Sequence, residues 1–363
     1  MTGTCVLCGM NSPDIASELN ICLACLRERP EAALEHCAQA HERSRASFNL
    51  PAAPSRSEGG LHCGLCAQDC VLGSGERGFC GLRVNRDGRL VHLAGTPQRG
   101  LLHWYRDPLP TNCVADWVCP GHTQAGMHNL AVFYASCTLN CLFCQNWHFR
   151  ETDPRLDRQG ATLALSAAEL ADCANPRTYC ACFFGGDPAS QMPHALAAGH
   201  ALAALGVRVC WETAGTMHPN FLQCALDISF ESGGCIKFDL KAYDENLHIA
   251  LTGASNQRTL ENFRTAAERA LTRPEPPLVI ASTLLVPGYV DPQEVGRIAR
   301  FIAGINPEIP YALLGFFPHF YMHDLPTTSV EHARAAEEAA REAGLKNVRL
   351  GNRHLLGMDY ELL

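Results

Sequence analysis

The 363-residue chain is 47% apolar, with 29 basic against 37 acidic residues, a net charge of −8 and 20 cysteines. This length and apolar content suit two or three domains with sizeable cores, and the acidic balance without a long basic run argues against a nucleic-acid partner. No apolar run approaches a membrane span, and the N-terminus lacks the basic and apolar regions of a signal peptide, so the expectation is a cytoplasmic protein whose cysteines bind metal.

The first element is a cysteine-rich module at residues 1–46. Cys5, Cys8, Cys22 and Cys25 form C-x2-C-x13-C-x2-C, two tight knuckles that suit a tetrahedral four-sulfur zinc site. A rubredoxin-like iron site is the competing occupant. So small a unit buries little apolar surface, and metal binding would supply folding energy on the order of 10 kcal/mol. Its expected role is structural, or docking to a partner. Glu28 to Arg45 reads as a helix, and Arg27, Arg29, Arg43, Arg45 and Arg56 read as solvated surface. Residues 47–60, rich in Pro, Ser and Gly, read as a linker.

Residues 61–128 form a second module with a connector. Cys63, Cys66, Cys70 and Cys80, at C-x2-C-x3-C-x9-C, suit either zinc or a second Fe–S cluster. Cys113 and Cys119, in the segment Pro108–Gly121, could join another site or pack in a core, and packing is the favoured reading. So do Cys180 and Cys182, which fall on one side of a strand. Cys37, Cys173, Cys210, Cys224 and Cys235 show no ligand spacing.

From residue 129 to 363 short apolar strands alternate with helices, which predicts parallel βα units. The strands are expected at Asn129–Ala135, Tyr179–Phe184, Val207–Glu212, Ile236–Leu240, Leu278–Val286 and Pro310–Phe317. Helices are expected at Ala167–Asp172, His194–Leu205, Leu260–Leu271 and Asp291–Ile305. The fold class is α/β, a partial (β/α)6 TIM-like barrel preceded by small cysteine-rich modules. Chemistry in such barrels sits at the C-terminal ends of the strands.

The candidate chemistry does fall there. Cys137-Thr-Leu-Asn-Cys141-Leu-Phe143-Cys144 gives three thiolates at C-x3-C-x2-C, each able to bind one iron of a 4Fe–4S cluster and leave the fourth iron open. Phe184-Gly185-Gly186-Asp187-Pro188 follows the second strand, where paired glycines let a ligand approach the backbone. Glu212 closes the third strand. Asp239 and Lys241, two apart and so on one side, close the fourth.

These residues resemble the radical SAM superfamily. They are similar to the branch containing pyruvate formate-lyase activating enzyme and to the radical SAM member of the AmmeMemoRadiSam system. The resemblance implies a 4Fe–4S cluster on Cys137, Cys141 and Cys144, with S-adenosylmethionine on the open iron. Phe143 would pack on adenine, and Gly185, Gly186, Asp187, Glu212, Asp239, Lys241 and His319 would contact the cofactor. The implied activity is reductive cleavage to a 5′-deoxyadenosyl radical that abstracts hydrogen from a substrate, which in activating enzymes is a partner protein. A flavodoxin- or ferredoxin-type donor would supply the electron. Two positions depart from the activating enzymes: Ala214 stands for their Asn, and Ser282 for their Arg. The rival expectation is a non-catalytic Fe–S or zinc electron-relay or docking protein, for which the N-terminal cysteine groups fit equally well.

Overall fold

The computed structural model describes residues 2–111 and 113–357. Met1 of the first module, Asn112 and the last residues of the expected barrel, 358–363, lie outside the described residues. Seven parallel strands form the centre of the fold. They are β1 (His128–Tyr134), β2 (Thr178–Phe184), β3 (Arg208–Thr213), β4 (Ile236–Asp239), β5 (Val279–Leu285), β6 (Tyr311–Gly315) and β7 (Val348–Gly351), each paired with the next. The first six coincide with the expected strands to within two residues at each end, and β7 is an addition.

Helices fill the crossovers after β2, as right-handed βα units require. Met192–Ala204 and Pro219–Ser232 follow β2 and β3, Glu245–Thr252 and Gln257–Ala270 follow β4, and Pro292–Ala303 and Val330–Glu342 follow β5 and β6. Local chemistry sets their starts. The Asp244, Asp291 and Ser329 side chains accept N–H bonds from the first turn, and Pro occupies an early position in three of the six.

Alternation along β2 separates two faces. Phe183 points outward, with its ring stacked 4.7 Å from Trp211 and 6.2 Å from Tyr134 under the helices. Cys182 and Phe184 point inward, with Cys210, Cys235 and Ile280. On the other side of β1, Gly100–Pro108 pairs antiparallel, and the short hairpin Arg158–Gln159 and Thr162–Leu165 extends it. The resulting ten-stranded sheet stays open, with β7 and Arg158–Gln159 as its edges.

The N-terminal module packs on the barrel rather than trailing from it. Ile15, Leu19, Ile21 and Leu26 share one buried core with Tyr289, Val290 and Leu325. The Tyr289 hydroxyl accepts from the Ala16 N–H and donates to the Ile21 carbonyl, both at 3.1 Å, and Arg27 forms a two-pronged ion pair with Asp291 at 2.8 and 3.0 Å. The helix after it is Pro30–Ala46. Arg45, expected on the surface, is only 2% exposed. Its guanidinium lies 3.4 Å above the Phe79 ring and bonds the Pro51 and Phe79 carbonyls, joining helix to second module. Residues 47–60 carry no helix, and the Ser55 and Ser57 hydroxyls donate to the Glu76 carboxylate of that module.

Candidate functional site

Above the C-terminal ends of the strands lies a pocket of about 210 Å³. Cys137, Cys141, Phe143, Cys144, Gly185, Gly186, Asp187, Glu212, Asp239 and Lys241 all line it. His319 does not; it precedes the short turn Phe320–Met322, with its ring 5.3 Å from that of Phe317.

The triplet loop leaves β1 and is held from below and from the side. The Asn140 and Leu142 N–H groups donate to the Thr252 and Leu251 carbonyls at 2.8 and 3.0 Å. The Asn140 side-chain amide donates to Ser44 Oγ at 2.7 Å and to His41 Nδ1 at 2.9 Å on the N-terminal helix. Within the loop, the Leu139 N–H donates to Cys137 Sγ at 3.3 Å. Burial pushes the Cys137 thiol well up and Cys141 up to about 12, the latter against the pull of Lys241. Thiolates are costly there unless a cation neutralises them, which is the condition a metal cluster meets.

Gly185 and Gly186 have φ of +66° and +52°. A Cβ at Gly185 would collide with the Phe133 ring, and one at Gly186 with the Tyr134 and Ser136 carbonyls. Only glycine lets this loop press against the start of the triplet loop. Asp187 is wholly committed within the protein. Its Oδ1 accepts from the Ala189 N–H (2.7 Å) and the Thr213 hydroxyl (2.8 Å), and its Oδ2 from the Ala214 N–H (3.0 Å). It ties the glycine loop to the end of β3. Glu212 pairs with Lys237 at 3.0 Å, and Asp239 pairs with Lys241. Burial opposes the Lys241 charge, yet Asp239 and the cysteines beside it raise its pKa, so it stays an ammonium, 5.5 Å from the Phe143 ring centre.

Sequence reasoning missed Arg150. It is buried, 4.9 Å from the Phe149 and Phe320 ring centres, and its Nη1 has no hydrogen-bond partner. Arg150 lines the pocket and also a neighbouring cavity of about 340 Å³ that holds Arg45, Arg77, Arg86 and Arg155. Only its nearness to Cys144 in the chain marked it.

The two N-terminal cysteine groups differ in geometry. The sulfurs of Cys5, Cys8, Cys22 and Cys25 all lie within 4.8 Å of one another, with Cys8 and Cys22 at 3.7 Å. Among the described residues no other set of three or more His, Cys, Asp or Glu side chains gathers so tightly. Cys63, Cys66, Cys70 and Cys80 line one cavity with Arg83, whose three guanidinium nitrogens are buried without a partner. This module abuts the triplet: Ser136 Oγ donates to the Cys80 carbonyl (2.9 Å) and Gln68 to the Thr138 carbonyl (2.6 Å).

Comparison with known proteins places this geometry. The radical SAM superfamily profile matches residues 131–302. An isethionate sulfite-lyase activating enzyme of Desulfovibrio desulfuricans is 30% identical over 168 residues, 44% of this chain and 51% of that protein. The chain thus spans about half the length of this curated relative. An uncharacterized protein of Methanocaldococcus jannaschii is 23% identical over 315 residues, covering 80% of this chain and 81% of the other. A domain of pyruvate-formate lyase-activating enzyme from Bacteroides vulgatus superposes with a TM-score of 0.39 at 19% identity, over 47% of this chain and 97% of that one. Residues 131–302, which run from β1 to the helix after β5 and carry the cysteine triplet, thus match the radical SAM superfamily, over just under half of the chain.

Proposed function

We propose that the chain is a radical SAM enzyme of the activating-enzyme type. The observation that carries the reading is the convergence of the triplet, the glycine loop and the strand-end charges on one pocket. Cys137, Cys141 and Cys144 would hold a 4Fe–4S cluster, and their sulfurs are spread beyond single-ion spacing, as thiolates on separate irons must be. When bound, the cluster and S-adenosylmethionine supply a 5′-deoxyadenosyl radical that takes a hydrogen atom from substrate.

The chain's own residues bind and orient. Gly185 and Gly186 would offer backbone to the cofactor amino group, the Lys241 ammonium would hold its carboxylate, and Phe143 would offer a ring to adenine. Asp187 holds the glycine loop in place, and Glu212 and Asp239 supply acceptors. Positioning of this kind is the protein's main share of cofactor chemistry. The likeness to an isethionate sulfite-lyase activating enzyme favours a protein substrate, and a flavodoxin- or ferredoxin-type donor suits the low potential required. In the N-terminal modules, the tight Cys5 group suits one zinc ion. The wider Cys63 group, facing the unpaired Arg83 cation, suits an anionic Fe–S cluster.

The test is 5′-deoxyadenosine release by anaerobically reconstituted protein with S-adenosylmethionine and dithionite. Cys141→Ala is expected to abolish release and the cofactor-induced change in the EPR spectrum. Release undiminished in Cys141→Ala would overturn the reading. A reducible cluster indifferent to the cofactor would support an electron relay instead.

A further inference from the structure

Six cysteines absent from the site above meet inside the barrel, below the strand ends. Cys182 on β2 is the register partner of Cys210 on β3. Cys210 stands one step before the Trp211–Ile236 pair, beside Cys235, whose carbonyl accepts the Trp211 N–H at 2.9 Å. Cys182 on β2, Cys210 on β3 and Cys235, the residue leading into β4, therefore set thiols side by side on the inward face. Cys180 lies two residues before Cys182 on that face. From the opposite direction the loop after Gly100–Pro108 brings Cys113 and Cys119, and all six line one cavity.

Core packing explains a buried cysteine or two, not this convergence with its polar fittings. Lys237, 1% exposed, reaches in from β4 with its ammonium 3.0 Å from Cys182 Sγ and 3.1 Å from Cys113 Sγ. A buried cation in this position supplies the compensating charge that an anionic, thiolate-ligated group would need. Cys113 and Cys119 each accept the N–H of the residue two further on, Ala115 at 3.5 Å and Gly121 at 3.4 Å. Cys137 accepts the Leu139 N–H in the same way. Such bonds support a metal-bound sulfur. No three of the six sulfurs are gathered at the single-ion spacing seen at Cys5.

We propose that the barrel interior holds a further iron–sulfur cluster, ligated by cysteines drawn from Cys113, Cys119, Cys180, Cys182, Cys210 and Cys235, with Lys237 as its counter-charge. All-thiolate ligation in a closed, soft site selects such a cluster over oxygen-loving metals. The proposal does not depend on the catalytic reading.

The experiment is anaerobic reconstitution of the full chain with 57Fe and sulfide, counting iron and acid-labile sulfide per chain and recording Mössbauer spectra. Two double variants, Cys182→Ser with Cys210→Ser and Cys113→Ser with Cys119→Ser, are compared with the parent. Each is expected to lose the same amount, about two or more iron and as many sulfide, while the EPR response to S-adenosylmethionine persists. If the strand pair fails to fold, the loop pair alone carries the test. Unchanged iron and sulfide in the folded loop variant would overturn the proposal, as would zinc without sulfide in this site.

Discussion

Asp187 illustrates how a residue chosen for one chemistry can do another. Its place after two glycines marks it as a cofactor contact, yet its carboxylate is spent on Ala189, Thr213 and Ala214. Replacing it with alanine strands these donors in a buried site, at about 1–3 kcal/mol each when unsatisfied. Asp187→Ala is therefore expected to lower the urea midpoint and to weaken S-adenosylmethionine binding at least tenfold by equilibrium titration, through loss of the loop rather than of a direct contact. Asp187→Asn, which keeps one acceptor oxygen, should fall between. The sequence makes the carboxylate visible but not its partners, since Thr213 lies 26 positions away and the bond exists only once β2 and β3 are paired. The same limit hid the Lys237–Cys113 contact across 124 positions. Spacing within a loop marks Cys137, Cys141 and Cys144 because their separations are local; ligands drawn from different strands carry no such signature.

Among the elements, those with a strong apolar rhythm were legible. β2 and β5 are nearly continuous runs of buried residues, as strands covered on both faces must be. Gly100–Pro108 was not, because His103, Trp104, Tyr105, Arg106 and Asp107 leave half of it partly exposed, and β7 has a charged residue in only four positions. The N-terminal helix is the element whose role sequence least disclosed. His41 and Ser44 receive the Asn140 amide, so this helix braces the triplet loop. Asn140→Ala is expected to cost about 1–2 kcal/mol and to lower iron per chain after reconstitution. An unchanged iron content together with an unchanged melting temperature would show that the brace is idle. Because Ile15, Leu19 and Leu26 lie in the barrel's own core, calorimetry of the whole chain should give one cooperative transition, not a separate early one for residues 1–46.

At the scale of the whole molecule, three buried histidines set an acid limit. His41, His194 and His248 are each held by burial at about 4, below the ordinary 6.5. All three ring systems bond inside the protein, to the Ala250, Leu165 and Ala254 carbonyls. Unfolding frees them to take up protons at about 6.5, so between about pH 6.5 and 4 the unfolded chain binds more protons than the folded one. Stability is then full above this window and falls as pH drops through it, by up to ~1.4 kcal/mol per histidine per pH unit. Urea midpoints measured from pH 7 to 4.5 should decline, and His194→Gln should flatten the decline.

Glu212 and Lys237 are register neighbours on β3 and β4, and their ion pair spans the two levels of the barrel. Glu212 opens on the upper pocket, while the Lys237 ammonium also touches the thiols at the foot. A change of charge among those sulfurs alters how tightly the ammonium is drawn downward, and with it the field and the freedom of the carboxylate above. The Glu212–Lys237 pair thus links the mouth and foot of the barrel, so a charged group bound at the foot would shift the electric field felt at the mouth.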